Sequence, residues 1–134
     1  MITTHSALIY AMVLSAAADG NVDDEELNTI GEIINVLPIF QDFETGNFGQ
    51  IASSAIDLLS ETDGLDAAVD QIKRTLPEKL RATAYALACD VVAADGTATQ
   101  EELRFLEMLR HELNVDRLTA AAIERGSAAR YARP

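Results

Sequence analysis

The feature that most constrains this chain is an internal repeat. Ala17-Ala18-Asp19-Gly20 followed by Glu25-Glu26-Leu27 returns as Ala93-Ala94-Asp95-Gly96 followed by Glu101-Glu102-Leu103, at a constant offset of 76 residues. The correspondence continues into the apolar positions downstream, where Leu27, Ile30, Ile33 and Leu37 match Leu103, Leu106, Leu109 and Leu113. Spacings of three and four residues mark one face of a helix. A chance tetrapeptide match would not carry a helical stripe along in register. The chain is therefore expected to use one helix-turn-helix unit twice.

Each unit predicts its own boundaries. An alanine-rich run ends at Asp-Gly, where glycine permits the left-handed conformation that closes a helix. Three residues after the glycine a new start signal appears: Asp23 with Glu26, and Thr99 with Glu102, have capping-box spacing. The pattern predicts helices over about 4–18, 23–36, 48–61, 65–75, 78–94, 99–113 and 116–130. Pro38 and Pro77 punctuate the chain as breakers or first-turn residues. Between Phe40 and Phe48 the pattern is irregular, and the three phenylalanines Phe40, Phe43 and Phe48 are expected to pin an ordered loop. Gly126 to Pro134 is expected to fray. The small residues Ala11, Ala16, Ala17, Ala84, Ala88 and Ala93 would let the first helices of the two units approach closely at the centre.

The expected architecture is all-α: about seven helices in one domain over 1–134, with the two hairpins related by a pseudo-two-fold axis. The first repeat covers about 4–37, connecting helices about 38–76, the second repeat about 78–113, and a C-terminal helix about 116–130. Composition agrees, since 49% of residues are apolar but only 5% aromatic, with alanine and leucine dominant. A chain of 134 residues can bury a core without disulfides or a structural metal. The lone cysteine, Cys89, excludes an internal disulfide and any paired-cysteine metal site, which suits a reducing interior. No stretch is apolar for the roughly 20 residues a membrane span needs, and the opening residues lack the basic start of a secretory signal, so a cytoplasmic location is expected.

Charge narrows the partners. The formal charge is -12, and it is unevenly placed: residues 1–72 carry 13 acids and no lysine or arginine, whereas residues 73–134 carry 9 acids and 10 bases. A surface of this sign repels nucleic-acid phosphates, so nucleic acid is excluded as a direct partner. Cations and basic protein partners suit it, as does an acidic surface that only maintains solubility.

The doubled Ala-Asp-Gly turn, followed seven residues after each aspartate by glutamate, resembles the TerB family of tellurite-resistance proteins over most of the chain. That resemblance implies an all-α fold of two helical hairpins. It also implies a cytoplasmic bacterial module of stress response and tellurite resistance, with no established reaction. A divalent-metal role for the acidic residues and participation in membrane-associated assemblies are implied as well. Carried over by position, the family residues are Asp19 and Glu26 in the first repeat and Asp95 and Glu102 in the second. The residues between differ, since Asn21, Asp23 and Asp24 become Thr97, Thr99 and Gln100.

The candidate metal residues are thus Asp19, Asp23, Glu26, Asp95 and Glu102, and the expected ion is magnesium or calcium rather than zinc, because the donors are hard oxygens. An EF-hand is excluded: counted from Asp19, the sixth position is Asp24 where that loop needs glycine, and the twelfth is Ile30 where it needs glutamate. The alternative duty of Asp23, Glu26 and Glu102 is helix capping. Asp19 and Asp95 end helices, where the dipole disfavours negative charge unless something compensates it. Cys89 falls in an apolar run and is expected in the core, while His5 and His111 are expected at the surface. Asp90 stands where the first repeat has Leu14, marking either a polar contact or a solvent face. No nucleophilic triad, phosphate loop or dinucleotide fingerprint occurs. The expected function is a non-enzymatic binding module; the alternatives are a purely structural interaction domain and a small metal-dependent hydrolase.

Overall fold

A computed structural model describes residues 2–134. It contains seven α-helices and, among the described residues, no strand. The first, α1 (Thr4–Ala16), starts where the Thr3 hydroxyl accepts the Ser6 amide at 3.0 Å. Every residue from Ala7 to Ala17 is buried. A helix apolar on all sides belongs in the middle of a protein, and α1 packs against α2, α3, α4, α5 and α6. Its one buried hydroxyl is satisfied locally, Ser15 donating to the Met12 carbonyl at 2.8 Å. The helix is shorter than expected, because its last turn tightens into a 3-10 turn over Ala17–Asp19.

Gly20 closes that turn at φ 92°, a left-handed value that its missing Cβ makes cheap. The chain then enters α2 (Asp24–Val36), which buries Ile30, Ile33 and Ile34. The irregular stretch is an ordered connection with two 3-10 turns, Pro38–Phe40 and Thr45–Asn47. Phe40 is buried and Phe43 half-buried, with ring centres 5.9 Å apart. His5 completes this cluster, its ring centre 5.5 Å from that of Phe40 and 5.3 Å from that of Phe43. Its Nε2 donates to the Ile39 carbonyl at 2.7 Å. The expectation of a surface histidine is therefore corrected: His5 is half-buried and fastens the loop to α1.

Helices α3 (Phe48–Leu59) and α4 (Gly64–Thr75) pack together and against α1. Asp63 takes a left-handed φ of 58° between them. A Cβ on Gly64 would lie 1.6 Å from the Leu58 carbonyl oxygen, so only glycine allows this approach. The second repeat begins with a 3-10 turn over Glu78–Leu80, where a helix from residue 78 was expected, and continues as α5 (Arg81–Ala94). Helix α5 lies along α1, as the small-residue pattern requires; Ala11, Ala16, Ala84 and Ala88 are fully buried. Gly96, at φ 84°, repeats the turn of Gly20 and leads to α6 (Gln100–Glu112). Helix α7 (Arg117–Arg130) starts where Asp116 accepts the Thr119 amide at 3.0 Å.

The C-terminal end departs from the expected fraying. Helix α7 stays regular to Arg130 because it is tied to α5. Asp90 accepts from the buried Ser127 hydroxyl at 2.6 Å and pairs with Arg130. Farther along, Arg133 Nη2 donates to the Ala94 carbonyl at 3.1 Å. Asp90 is thus a polar contact rather than a solvent-facing irregularity.

Candidate functional site

At the first corner, Asp19 Oδ1 accepts the Asn21 amide at 3.1 Å, which braces the turn after α1. Asp23 then caps α2: its Oδ1 accepts the Glu26 amide at 2.8 Å, and Glu26 Oε1 reaches back to the Asp23 amide at 3.2 Å. The second corner repeats this box without an aspartate. Thr99 Oγ1 accepts the Glu102 amide at 3.1 Å, and Glu102 Oε1 accepts the Thr99 amide at 2.8 Å. Glu102 is buried, 3% exposed, whereas Glu26 is only half-buried.

Packing sets the corners against one another. Helix α6 lies on the Ala17–Asp19 turn, and α2 lies on α5. As a result Asp23, Glu25 and Glu26 of the first corner share a cleft of about 130 Å³ with Asp95 of the second. The Glu26 carboxyl is held above its ordinary range, first by burial; the Asp23 amide pulls it down, while the charges of Asp23, Asp19 and Asp95 push it up. The field at Glu26 therefore belongs to both corners.

Of the five expected metal residues, Asp23, Glu26 and Asp95 come together and Asp19 contributes its charge. Glu102 lies outside this cleft, in its own buried cap. Among the described residues, no group of three or more His, Cys, Asp and Glu side chains is arranged to hold a metal ion. Two participants went unrecognised in the sequence. Glu25 shares the cleft from the first turn of α2, and its place in the Glu25-Glu26-Leu27 that returns in the second repeat was the available signal. Arg133 lines the same cleft from the C-terminal end, and no local pattern announces a residue 38 positions beyond Asp95.

Other chemistry-bearing side chains are structural. Cys89 is buried in α5, and burial pushes its thiol up to about 12; the Tyr85 hydroxyl beside it pulls the other way, while Glu124 and Asp90 add upward pressure. Such a thiol is not a nucleophile at neutral pH. Tyr85 donates to Glu124 Oε2 at 2.6 Å, joining α5 to α7. His111 is exposed, as expected.

The family model described as "Tellurite resistance protein TerB" matches residues 5–125, a span that contains both hairpins and both corners. The chain belongs to the TerB family. No curated protein and no solved structure matches it. Its all-helical fold agrees with the TerB helical domain, and among the described residues no helix is long and apolar enough to cross a membrane. The matched span includes Asp19 and Asp95 at the two Asp-Gly turns and Glu26 and Glu102 in the helices that follow them.

Proposed function

We propose that this tellurite-resistance-related TerB domain is a cytoplasmic binding module with no reaction of its own, which takes divalent cations and basic protein partners on the face where its acidic corners meet. The observation that carries this reading is the shared field at Glu26, where carboxylates from both repeats act on one group. A cation placed there would relieve repulsion that the fold otherwise carries.

The donor set decides which ion fits. Asp23 and Glu26 each spend one oxygen on the helix cap, leaving the second free, and Asp95 stands across the cleft. That arrangement suits magnesium, which keeps several waters and is bound through one or two carboxylates, better than calcium, which wants six to eight oxygens. Glu26 and Asp95 would hold the ion, with Asp19 and Asp23 adding charge. A second reading, an interaction domain without metal, draws on the completeness of both capping boxes, which gives Glu26 and Glu102 a structural duty.

Melting curves with magnesium, calcium, manganese and zinc separate the two. An ion that binds only the folded protein raises the melting temperature of wild type, by mass action. Asp95→Asn should lose most of that gain, because Asp95 has no capping role. Equal shifts in wild type, Asp19→Asn and Asp95→Asn would remove the metal and leave the interaction domain.

A further inference from the structure

A cleft of about 820 Å³, against about 130 Å³ at the acidic corners, lies between α5, α6 and α7. Helices α6 and α7 each pack on α5 and leave it between themselves. Tyr85, Cys89 and Val92 form its floor at i, i+4 and i+7 on α5, with Leu103 and Leu106 of α6 on one side and Ala128 of α7 on the other. Because the floor follows one helix, the cleft is elongated: from Tyr85 to Ala93 it runs about 12 Å at 1.5 Å per residue.

Its charge differs from that of the molecule around it. Two acids, Glu107 and Glu124, are balanced by two bases, Arg110 and Arg133, in a protein of net charge -12. Most of its polar groups are already engaged within the chain. Glu124 accepts from the Tyr85 hydroxyl at 2.6 Å, Ser127 donates to Asp90 at 2.6 Å, and Arg110 and Arg133 donate to the Val115 and Ala94 carbonyls at 3.3 and 3.1 Å. An ion entering here would give up water and meet no charge in excess, whereas an apolar molecule gains by leaving water. The apolar surface also stops at the rim. Of the large apolar side chains exposed among the described residues, only Leu103 lines the cleft; Val36, Ile56 and Leu118 do not. A protein interface needs about 800 Å² from each partner, more than one concavity supplies, while a small-molecule site is a concavity of about 300–1,000 Å³.

We propose that this cleft binds one free, uncharged aliphatic molecule of the medium-chain alcohol or ester class, laid along α5. The site goes beyond the reading of the acidic corners and does not depend on it. A balanced rim with a single exposed leucine offers a bilayer no anchorage, so the molecule is taken from solution.

The test is a calorimetric titration of the full chain with decanol, decanoate and decylammonium, each kept below self-association. Decanol should bind one to one, and both charged congeners at least about tenfold more weakly. Ala128→Trp, which fills the cleft from an exposed position on α7, should weaken decanol binding at least about tenfold, and Leu103→Gln, at the rim, should weaken it severalfold. Both positions are exposed, so both variants should melt near wild type. Leu118→Gln, 80% exposed and outside the cleft, should bind as wild type does. Absence of decanol binding, equal binding of a charged congener, or indifference to either Ala128→Trp or Leu103→Gln would overturn the proposal. So would flotation of the chain with phosphatidylcholine vesicles, which gives the cleft to a membrane, or a dimer in sedimentation that Leu103→Gln dissolves, which gives it to a second copy. Asp95, whose substitution tests the cation, does not line this cleft, so failure here and failure at the acidic corners are distinguishable.

Discussion

Glu26 is asked to do two things whose electrostatics differ. As a cap it needs only an oxygen that reaches the Asp23 amide, and a glutamine supplies one. As an ionised carboxylate it sits partly buried beside three other acids, which raises its proton affinity in the folded protein above the ordinary value of 4.5. A folded-state value raised above the unfolded one stabilises the fold fully below about pH 4.5, and that contribution is lost as pH rises through the folded value. Without divalent cations, Glu26→Gln should therefore be neutral to stabilising at pH 7, by less than about 1 kcal/mol because the group is partly solvated. Its stability profile should also flatten on the side above pH 4.5, where the wild-type contribution is lost. Urea titrations of wild type and variant across that range measure it, and a clear loss of stability at pH 7 would contradict the assignment. The capping boxes themselves were legible in the sequence because both partners lie three residues apart. His5 was not, because Ile39 and the phenylalanine rings that bury it are set by tertiary packing, 34 residues and more away.

Among the elements, α7 shows most plainly what local pattern omits. Its alanines favour helix, but Gly126 falls near its end and weakens the propensity of its last turns. It stays helical because Asp90 of α5 holds Ser127 and Arg130 from 37 and 40 residues away. The substitution of Leu14 by Asp90 between the repeats was the visible trace of this link; its partner could not be read without the fold. Helices α2 and α6, by contrast, were specified by caps, stripes and the Gly20 and Gly96 stops, all local features. Removing the link should separate these two kinds of helix. Asp90→Ala leaves the buried Ser127 hydroxyl without its partner, costing about 1–3 kcal/mol. Amide exchange should accelerate in the last turns of α7 while α2 and α6 remain protected. Uniform acceleration through all helices would mean that α7 folds only with the whole.

At the scale of the whole molecule, charge works against compactness. Among the described residues only two ion pairs form, Arg74 with Asp70 and Arg130 with Asp90, and the first of them is exposed on both sides. Exposed pairs contribute little, so the 22 acids are left largely uncompensated by the 10 bases. Self-repulsion of this kind falls as salt shortens the Debye length to about 10 Å at 0.1 M. The melting temperature should therefore rise with sodium chloride between low salt and about 0.15 M and then level off, as screening reaches the spacing of surface charges. Magnesium chloride at matched ionic strength provides the decisive comparison. If repulsion is relieved only by the ionic atmosphere, the two salts give one curve. If Glu26 and Asp95 gather an ion between the repeats, magnesium should act at lower concentration and saturate, and Asp95→Asn should return its curve to that of sodium. Coincident curves for wild type would assign the acidic corners to capping and long-range attraction alone.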